Sequence, residues 1–346
     1  MSNQGTDSIA TPRGVRETGK MAASRATTSS ASTLESSDLV RLIRPGQWIK
    51  NIVVFAGPAA GLKLSSPDSF LTAFVTFAAF CLAASAGYVV NDVLDREADR
   101  NHPTKRNRPV AAGRIGIGIA LSMACGLLVA CAAVTILFLP IGATVVLGSY
   151  LAMTLVYSLW LKERVILDVI VIAIGFVLRA LAGSFSVGVS ASEWLVACVF
   201  TLCLFMGFGK RRCEIAMIAD ADGVGRHRRT LVRYTPDLLN HLLTVSAGIA
   251  VITFLLYTLD TQGHPAPFHK EHLFYTLPLV IYGVFRFAML TEIGVYTGPT
   301  EIVMRDRAIF LTIVFWTACA LVIAYQNTLF GPSGLARFLG STGANP

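Results

Sequence analysis

Residues 115–161 read IGIGIALSMACGLLVACAAVTILFLPIGATVVLGSYLAMTLVYSLWL and contain no charged side chain. A transmembrane helix needs roughly 20 apolar residues to cross a hydrocarbon core about 30 Å thick. This stretch is long enough for two such helices, and Leu139-Pro140 supplies a break between them. It lacks the alternation of apolar and polar residues that a transmembrane β-strand requires. The stretch therefore predicts an all-α protein that crosses a membrane several times.

The composition of the whole chain agrees with this prediction. Of the 346 residues, 54% are hydrophobic and only 14% are charged, whereas soluble domains have about 25% charged residues. A net charge of +8 would favour nucleic-acid binding in a soluble protein. In a membrane protein the basic cytoplasmic loops explain it, so we expect membrane lipids and no nucleic acid as partners. The cysteines form no CxxC pair and the histidines lack zinc-ligand spacing, so neither set predicts a metal site.

Hydrophobic windows extend the prediction to a bundle of nine transmembrane helices. The expected spans are 48–64, 70–90, 115–137, 141–160, 165–184, 192–208, 238–259, 273–291 and 308–329. Most of the 29 lysines and arginines lie before the first span or in the loops that follow even-numbered spans. The positive-inside rule then predicts a plasma-membrane protein with a cytoplasmic N-terminus and an extracytoplasmic C-terminus.

The same windows divide the chain into three parts. Residues 1–38 are rich in serine and threonine and poor in large apolar side chains, which predicts a disordered cytoplasmic tail. Residues 39–329 form the transmembrane domain, and residues 330–346 are expected to be a short extracytoplasmic tail.

A row of carboxylates follows the second span at its predicted cytoplasmic end. Asp92, Asp95 and Asp99 are spaced i, i+3, i+7, so a helix puts them on one face, with Asn91 at its edge. Mg²⁺ takes such oxygen ligands, usually together with waters and substrate phosphates. The row predicts a diphosphate site for Mg²⁺ or Mn²⁺ with the three aspartates as ligands and Asn91 as a further catalytic residue. The alternative is a solvated, charged helix end.

A basic turn comes directly after the acidic row. Pro103 ends the helix, and Lys105, Arg106 and Arg108 can then fold back toward phosphate oxygens. The alternative is that these cations only reflect the positive-inside rule. Acids followed at once by cations favour a phosphate-binding site at the cytoplasmic mouth of the bundle.

These motifs resemble those of a known family. Asn91-Asp92-x-x-Asp95-x-x-x-Asp99 resembles the first acidic motif of the UbiA-type intramembrane prenyltransferases, and the similarity covers about residues 39–329. The resemblance implies nine helices with polar loops after the second and the sixth. Several stretches more narrowly resemble the members that join phosphoribosyl diphosphate to a polyprenyl phosphate, namely 44–51, 99–109, 178–183, 209–211 and 305–307.

The resemblance implies a Mg²⁺-dependent transferase. It would move the 5-phosphoribosyl group onto a polyprenyl phosphate such as decaprenyl phosphate and release diphosphate, for the synthesis of cell-wall arabinan precursors. Two alternatives stay open at this point. One is transfer of a prenyl chain to an aromatic acceptor in a quinone or haem pathway, and the other is a non-enzymatic transporter. The oligomeric state is also open, a homo-oligomer included.

The second polar loop favours phosphoribosyl transfer. Prenyl-transferring members repeat an aspartate-rich motif there, whereas this chain has Lys210, Arg211 and Glu214, followed by a mainly basic loop. A donor with a 5-phosphate beside its diphosphate needs more positive charge. We therefore expect Lys210 and Arg211 to bind phosphate and Glu214 to contact the metal or a ribose hydroxyl. Asp220 and Asp222 are interpreted as charge relief in a flexible loop.

Other polar residues complete the candidate substrate-binding set. Lys50, close to Trp48, is either part of an interfacial anchor or, as the resemblance implies, a phosphate contact. Arg179 lies deeper, where an ionisable group usually faces a partner or a cavity, so it is either a structural pair or a contact to substrate phosphate. The remaining candidates border the cytoplasmic loops and are Tyr157, Lys162, Asp168 and Arg305.

Overall fold

The computed structural model describes residues 36–102, 105–219, 234–260 and 268–330, and every regular element within them is a helix. The α-helices are α1 (Ser36–Ile43), α2 (Ala56–Ala60), α3 (Pro67–Leu94), α4 (Arg96–Arg100), α5 (Ile117–Phe138), α6 (Ile141–Leu159), α7 (Leu167–Ser186), α8 (Glu193–Ala219), α9 (Pro236–Leu259), α10 (Leu277–Ile293), α11 (Pro299–Arg305) and α12 (Arg307–Phe330). The 3₁₀ helices cover Pro45–Phe55, Lys63–Ser65, Lys105–Asn107, Leu161–Glu163 and Lys270–Thr276.

Eight helices in the described ranges are long and apolar enough to cross a membrane. They are α3, α5, α6, α7, α8, α9, α10 with the 3₁₀ turn before it, and α12. Each overlaps one of the second to ninth predicted spans, and α5 and α6 agree with 115–137 and 141–160 to within two residues. The predicted all-α, polytopic architecture is confirmed.

The predicted first span, 48–64, has a different structure. A 3₁₀ helix over Pro45–Phe55 leads into the short α2, which ends before Gly61. Gly57 and Pro58 lie inside α2 and have the lowest helix propensities of all residues, so a long α-helix is not favoured here. The segment 45–61 packs on α3 and α7 instead.

Two glycines allow the segment 45–61 to lie directly against α7. A Cβ atom on Gly183 would be 1.7 Å from the carbonyl oxygen of Val54, and one on Gly57 would be 1.8 Å from Oγ of Ser184. Val54 is fully buried in an apolar cluster that contains side chains of α3, α6 and α7. This close contact fixes the position of Lys50 and its neighbours in the bundle.

A second apolar cluster holds α1 and the loop after α4 on α3. Leu42, Val89 and Val110 are fully buried in it. Asp38 is buried as well, and its Oδ2 accepts a hydrogen bond of 2.8 Å from Nε of Arg114. Residues 36–38, the end of the predicted tail, are therefore helical. Residues 1–35 and 331–346, which make up most of the two predicted tails, lie outside the described residues.

Candidate active site

The carboxylate row lies at the junction of α3 and α4. The amide of Asp95 donates to the carbonyl of Asn91 at 2.9 Å, and the amide of Asp99 donates to the carbonyl of Asp95 at 2.8 Å. The helical register therefore continues through the junction, as the spacing predicted. Asp92 and Asp99 are buried, and Asp95 is partly exposed.

Two arginines from distant positions contact the buried members of the row. Arg44, which precedes the 3₁₀ helix, donates a hydrogen bond to Oδ1 of Asp92. Nη1 of Arg108 lies 3.1 Å from Oδ1 of Asp92 and 2.6 Å from Oδ2 of Asp99. Since one nitrogen contacts both carboxylates, the side chains of Asp92 and Asp99 lie close together.

Asp95 has its own partners. Lys162, in the 3₁₀ turn before α7, donates to Oδ1 of Asp95. The side-chain amide nitrogen Nδ2 of Asn91 donates to Oδ2 of Asp95 at 2.9 Å. The side chain of Lys162 is largely buried. The row is therefore neutralised by cations of the chain itself, which removes the repulsion that three neighbouring carboxylates would suffer.

The donor set suits a divalent cation that is shared with a substrate. No group of three or more Asp, Glu, His or Cys within the described ranges is arranged to hold a metal by itself. Oδ2 of Asp92 and Oδ1 of Asp99 accept no hydrogen bond from the described residues. Mg²⁺ in phosphate-transferring sites is bound by one or two carboxylates plus substrate phosphates. Asp92 and Asp99 fit that mode of binding.

A second polar cluster lies at the ends of α7 and α8. Asp168 is fully buried, and it accepts hydrogen bonds of 2.8 Å from Nε of Arg211 and 2.8 Å from the Tyr234 hydroxyl. Nη1 of Arg211 donates to Oε2 of Glu214 at 2.6 Å. Both oxygens of Asp168 are thus engaged inside the protein. The residue orients Arg211, and its predicted contact with a substrate stays a prediction.

Tyr234 joins this cluster to the turn before α7. Its hydroxyl accepts a hydrogen bond of 2.6 Å from the backbone amide of Ile166. Ile166 has a φ of 69°, a strained conformation for a β-branched residue. Because Lys162 precedes Ile166 and Asp168 follows it, this one turn connects the carboxylate row with the Arg211 cluster.

Three more predicted residues belong to the Arg211 cluster. Nζ of Lys210 lies 3.7 Å from Oε1 of Glu214. Lys105 lies near Glu214, and Tyr157 lies near Arg211. The structure therefore brings the basic turn and the start of the second polar loop together. Residues 220–233, including Asp220 and Asp222, lie outside the described part of the chain.

Two predicted substrate-binding residues contact neither the carboxylate row nor the Arg211 cluster among the described residues. Arg106 is exposed and forms no ion pair with the described residues. Arg305 is exposed and pairs with Glu301 of the same helix at 3.0 Å. Their predicted substrate contacts stay predictions.

Arg179 is buried in α7 among neutral acceptors. Its Nε donates to Oδ1 of Asn51 at 2.8 Å, and its Nη2 donates to the hydroxyl of Tyr150 at 2.9 Å. No acidic side chain of the described ranges is within ion-pair distance of it. Its partners within the protein are therefore neutral, and a contact to substrate phosphate stays a prediction.

Lys50 precedes Asn51 in the segment 45–61, outside the eight spans. Burial, followed by the positive charges of Lys210, Arg179 and Arg44, lowers the pKa of Lys50 to about 8. Its neighbour Trp48 donates from Nε1 to Oγ of Ser85 at 3.0 Å, inside the protein. This hydrogen bond argues against an interfacial anchor pair.

Four residues of the site had no predicted role. Arg44 and Asn51 stand at the two ends of stretch 44–51, whose resemblance to the family was the signal for both. Arg44 also has a φ of 55° and stacks on Tyr88, with its Cζ 5.2 Å from the ring centroid. No sequence pattern marked Tyr150 and Tyr234 as site residues, because their hydrogen-bond partners are far away in sequence.

Comparisons with known proteins agree with this architecture. Residues 52–291 match the UbiA prenyltransferase family. The decaprenyl-phosphate phosphoribosyltransferase of Corynebacterium glutamicum is 32% identical over 84% of this chain and 88% of its own length. The enzyme of that name from Mycolicibacterium smegmatis is 34% identical over 81% and 90%.

Solved structures show the same fold. A UbiA homologue from Archaeoglobus fulgidus, solved with DMAPP and Mg²⁺, matches with a TM-score of 0.64 at 16% identity, over 83% of this chain and 99% of that one. The family match covers more than half of the chain, and it includes the acidic motif, six of the eight apolar helices in full and most of a seventh. This chain therefore belongs to the UbiA prenyltransferase family.

Proposed function

We propose that this protein is a multi-pass membrane transferase that moves the 5-phosphoribosyl group of phosphoribosyl diphosphate onto a polyprenyl phosphate and releases diphosphate. The observation that carries this proposal is the 32–34% identity to decaprenyl-phosphate phosphoribosyltransferases over 81–84% of the chain. By that similarity the acceptor is decaprenyl phosphate, and the product serves the synthesis of cell-wall arabinan.

The charge of the site supports a donor with several phosphates. Arg44, Arg108, Lys162 and Arg211 all approach the polar end of the bundle, and each is oriented by a carboxylate. Cations fixed in this way stabilise developing negative charge without reorganising during the reaction. Prenyl transfer to an aromatic acceptor and transport are not favoured, because the similarity is to phosphoribosyltransferases over most of both chains.

A divalent cation fits the carboxylate row. Asp92 and Asp99 would hold it through Oδ2 and Oδ1, which accept no hydrogen bond from the described part of the chain, with Asp95 beside them. When bound, the ion supplies neutralisation of the leaving diphosphate. Mn²⁺ also accepts carboxylate and phosphate oxygens and should replace Mg²⁺. The Mg²⁺ in the Archaeoglobus fulgidus homologue supports a metal in this fold.

The acceptor needs no strong general base. A phosphate monoester has a second pKa of about 6, so it is ionised near pH 7. One of its oxygens forms a bond to C1 of the ribose while the bond from C1 to the diphosphate oxygen breaks, and the electron pair leaves with the diphosphate. Attack from the face opposite the diphosphate inverts C1. The chain then contributes mainly orientation and fixed charge.

The basic loops give the proposed orientation in the membrane. Lys105, Arg108, Lys162 and Arg211 lie in or next to the loops that the positive-inside rule assigns to the cytoplasm. The site and the N-terminus would therefore be cytoplasmic, where a water-soluble donor is available. Tagging each terminus and labelling intact cells from outside would test this orientation.

The activity can be tested directly. The purified full chain is incubated with phosphoribosyl diphosphate labelled in the ribose, polyprenyl phosphate and Mg²⁺, and the lipid fraction is assayed for label. We expect a labelled lipid that depends on all three components. A folded protein that yields none would contradict the proposal. A prenylated product from polyprenyl diphosphate and an aromatic acceptor would favour the alternative.

A further inference from the structure

Lys50 differs from the other basic side chains that surround the site. Arg44, Arg108, Lys162 and Arg211 each contact a carboxylate. Lys50 forms no hydrogen bond or ion pair with its side chain to any residue in the described ranges, and it is not fully exposed. A cation in such a place loses hydration without a compensating partner.

Arg179 is a second cation without an acidic partner in the described part of the chain. Its three side-chain hydrogen bonds all go to neutral oxygens. The residue is only 6% exposed, and its guanidinium carbon lies within 6.0 Å of three ring centroids, those of Phe80, Tyr150 and Phe176. A buried charge of this kind is costly unless a counter-ion is provided.

Asn51 connects the two cations. It follows Lys50 in the chain, and its side-chain oxygen accepts the hydrogen bond from Nε of Arg179 at 2.8 Å. Asn51 is 1% exposed, so this contact is fixed inside the bundle. The positive charge of Arg179 acts on Lys50, as do those of Lys210 and Arg44. Lys210 and Arg44 have carboxylate partners, whereas neither Lys50 nor Arg179 has an acidic partner among the described residues.

We propose that Lys50 and Arg179 form the subsite for the phosphate monoester of the lipid acceptor. This inference rests on the proposed function and names which substrate the two residues bind. A phosphate monoester carries a charge of about −1.5 to −2 near pH 7, which two cations balance. The carboxylate row and its cations remain for the donor diphosphate.

The donor also carries a phosphate monoester, its 5-phosphate, but the surroundings favour the lipid. Arg179 lies about three helical turns from Asp168, toward the interior of α7, and aromatic rings surround it. Ile49 and Ile52, on either side of Lys50 and Asn51, are 52% and 56% exposed. An apolar chain attached to the phosphate has apolar surface beside it here, whereas the water-soluble donor gains nothing from that surface.

The test measures the two substrates separately in the purified full chain. The probes are farnesyl phosphate, as a short polyprenyl monophosphate, and phosphoribosyl diphosphate with Mg²⁺, each without its co-substrate. Lys50→Gln should weaken farnesyl phosphate binding at least tenfold and change the Kd of phosphoribosyl diphosphate less than twofold. Arg179→Lys, which keeps the charge in place, should weaken farnesyl phosphate binding in the same direction. Lys63→Gln, which changes an exposed lysine two residues beyond the segment 45–61, is the matched control and should change neither Kd.

Three results would overturn the inference. One is unchanged farnesyl phosphate binding in both Lys50→Gln and Arg179→Lys. Another is a loss confined to phosphoribosyl diphosphate, with ribose 5-phosphate competing only in the wild type, which would assign the subsite to the donor. The third is an equal loss of both ligands. Failure of the proposed function would be seen differently, as wild-type protein that binds both ligands and forms no labelled lipid.

Discussion

Nε of Arg211 lies 2.8 Å from Oδ2 of Asp168, and both side chains are almost completely removed from solvent. The pair joins α7 to α8, and the Tyr234 hydroxyl completes the set of partners of Asp168. A guanidinium held in this way has one orientation. The arrangement makes Asp168 a positioning residue for a predicted phosphate contact.

Asp168→Asn should therefore impair use of the donor. A hydrogen bond to a charged group contributes about 1.5–3 kcal/mol, so kcat/KM for phosphoribosyl diphosphate should fall roughly 10- to 100-fold. Steady-state kinetics with the donor varied will measure it, and the KM for the lipid should stay unchanged. Tyr234→Phe removes two hydrogen bonds, the one that the hydroxyl donates to the Asp168 carboxylate and the one that it accepts from the Ile166 amide, but it leaves the Arg211–Asp168 pair in place. We expect kcat/KM for the donor to fall about 10-fold in this variant. Equal effects on both substrates would indicate a general loss of structure.

Loss of a carboxylate from the acidic row should nearly abolish turnover. Asp92→Asn and Asp95→Asn each remove a negative charge from the proposed metal site, and we expect kcat to fall at least about 100-fold. The Mg²⁺ concentration for half-maximal rate should rise, and a chelator should stop the wild-type reaction. Asp68→Asn, at the exposed far end of the same helix, is the matched control. Full activity in both site variants would refute the metal role.

The pH dependence of lipid binding should report the charge of Lys50. Burial and the neighbouring charges of Lys210, Arg179 and Arg44 lower its pKa to about 8, so the ammonium loses its proton as the pH rises through that value. If only the protonated form binds, the Kd of farnesyl phosphate should increase about fivefold from pH 8 to pH 9. A bound anion raises the pKa and keeps the complex protonated to higher pH.

Lys50→Arg provides the control for this prediction. Arginine stays protonated throughout this range, so the increase in Kd between pH 8 and pH 9 should disappear in the variant. Binding of phosphoribosyl diphosphate should be insensitive to the substitution over the same range. A pH dependence that persists in Lys50→Arg would show that another group titrates.

Gly183→Ala should displace the segment 45–61. The added methyl group would meet the carbonyl oxygen of Val54 at 1.7 Å, and neither backbone can yield easily. We expect a loss of about 1–3 kcal/mol or more in the free energy of unfolding, together with weaker farnesyl phosphate binding. Gly148 lies in the middle of α6, and a Cβ atom there would meet no atom of the described residues within 4 Å beyond the local helix backbone. Gly148→Ala should therefore be neutral or slightly stabilising, because alanine favours the helix. Thermal unfolding in detergent compares the two variants.

The long helices could be predicted from sequence because hydropathy alone determines them. The spans 115–137 and 141–160 agree with Ile117–Phe138 and Ile141–Leu159, since an uncharged run of this length has no alternative in a membrane. The segment 45–61 could not be predicted in the same way. Its composition is apolar enough for a span, but Gly57 and Pro58 favour a short helix, and its position depends on contacts with α7.

The parts of the site that depend on neighbouring residues in the sequence could be predicted. The register of Asp92, Asp95 and Asp99 follows from helical spacing, which is a property of neighbouring residues. The partners of these aspartates are not local, since Arg44 is 48 residues from Asp92 and Lys162 is 67 residues from Asp95. The role of Asp168 depends on Arg211, and no spacing rule links the two. Sequence reasoning therefore identified the chemical groups but not the pairs they form.

The contact between Val54 and Gly183 also constrains biogenesis. Ribosomes synthesise the segment 45–61 long before α7, yet α7 supplies the surface that covers it. Backbone without full helical hydrogen bonding is not tolerated in lipid unless protein surrounds it. The segment can therefore take its final place only after α7 has been inserted. Lys50 is thus made early in the chain but reaches the surroundings seen in the structure late.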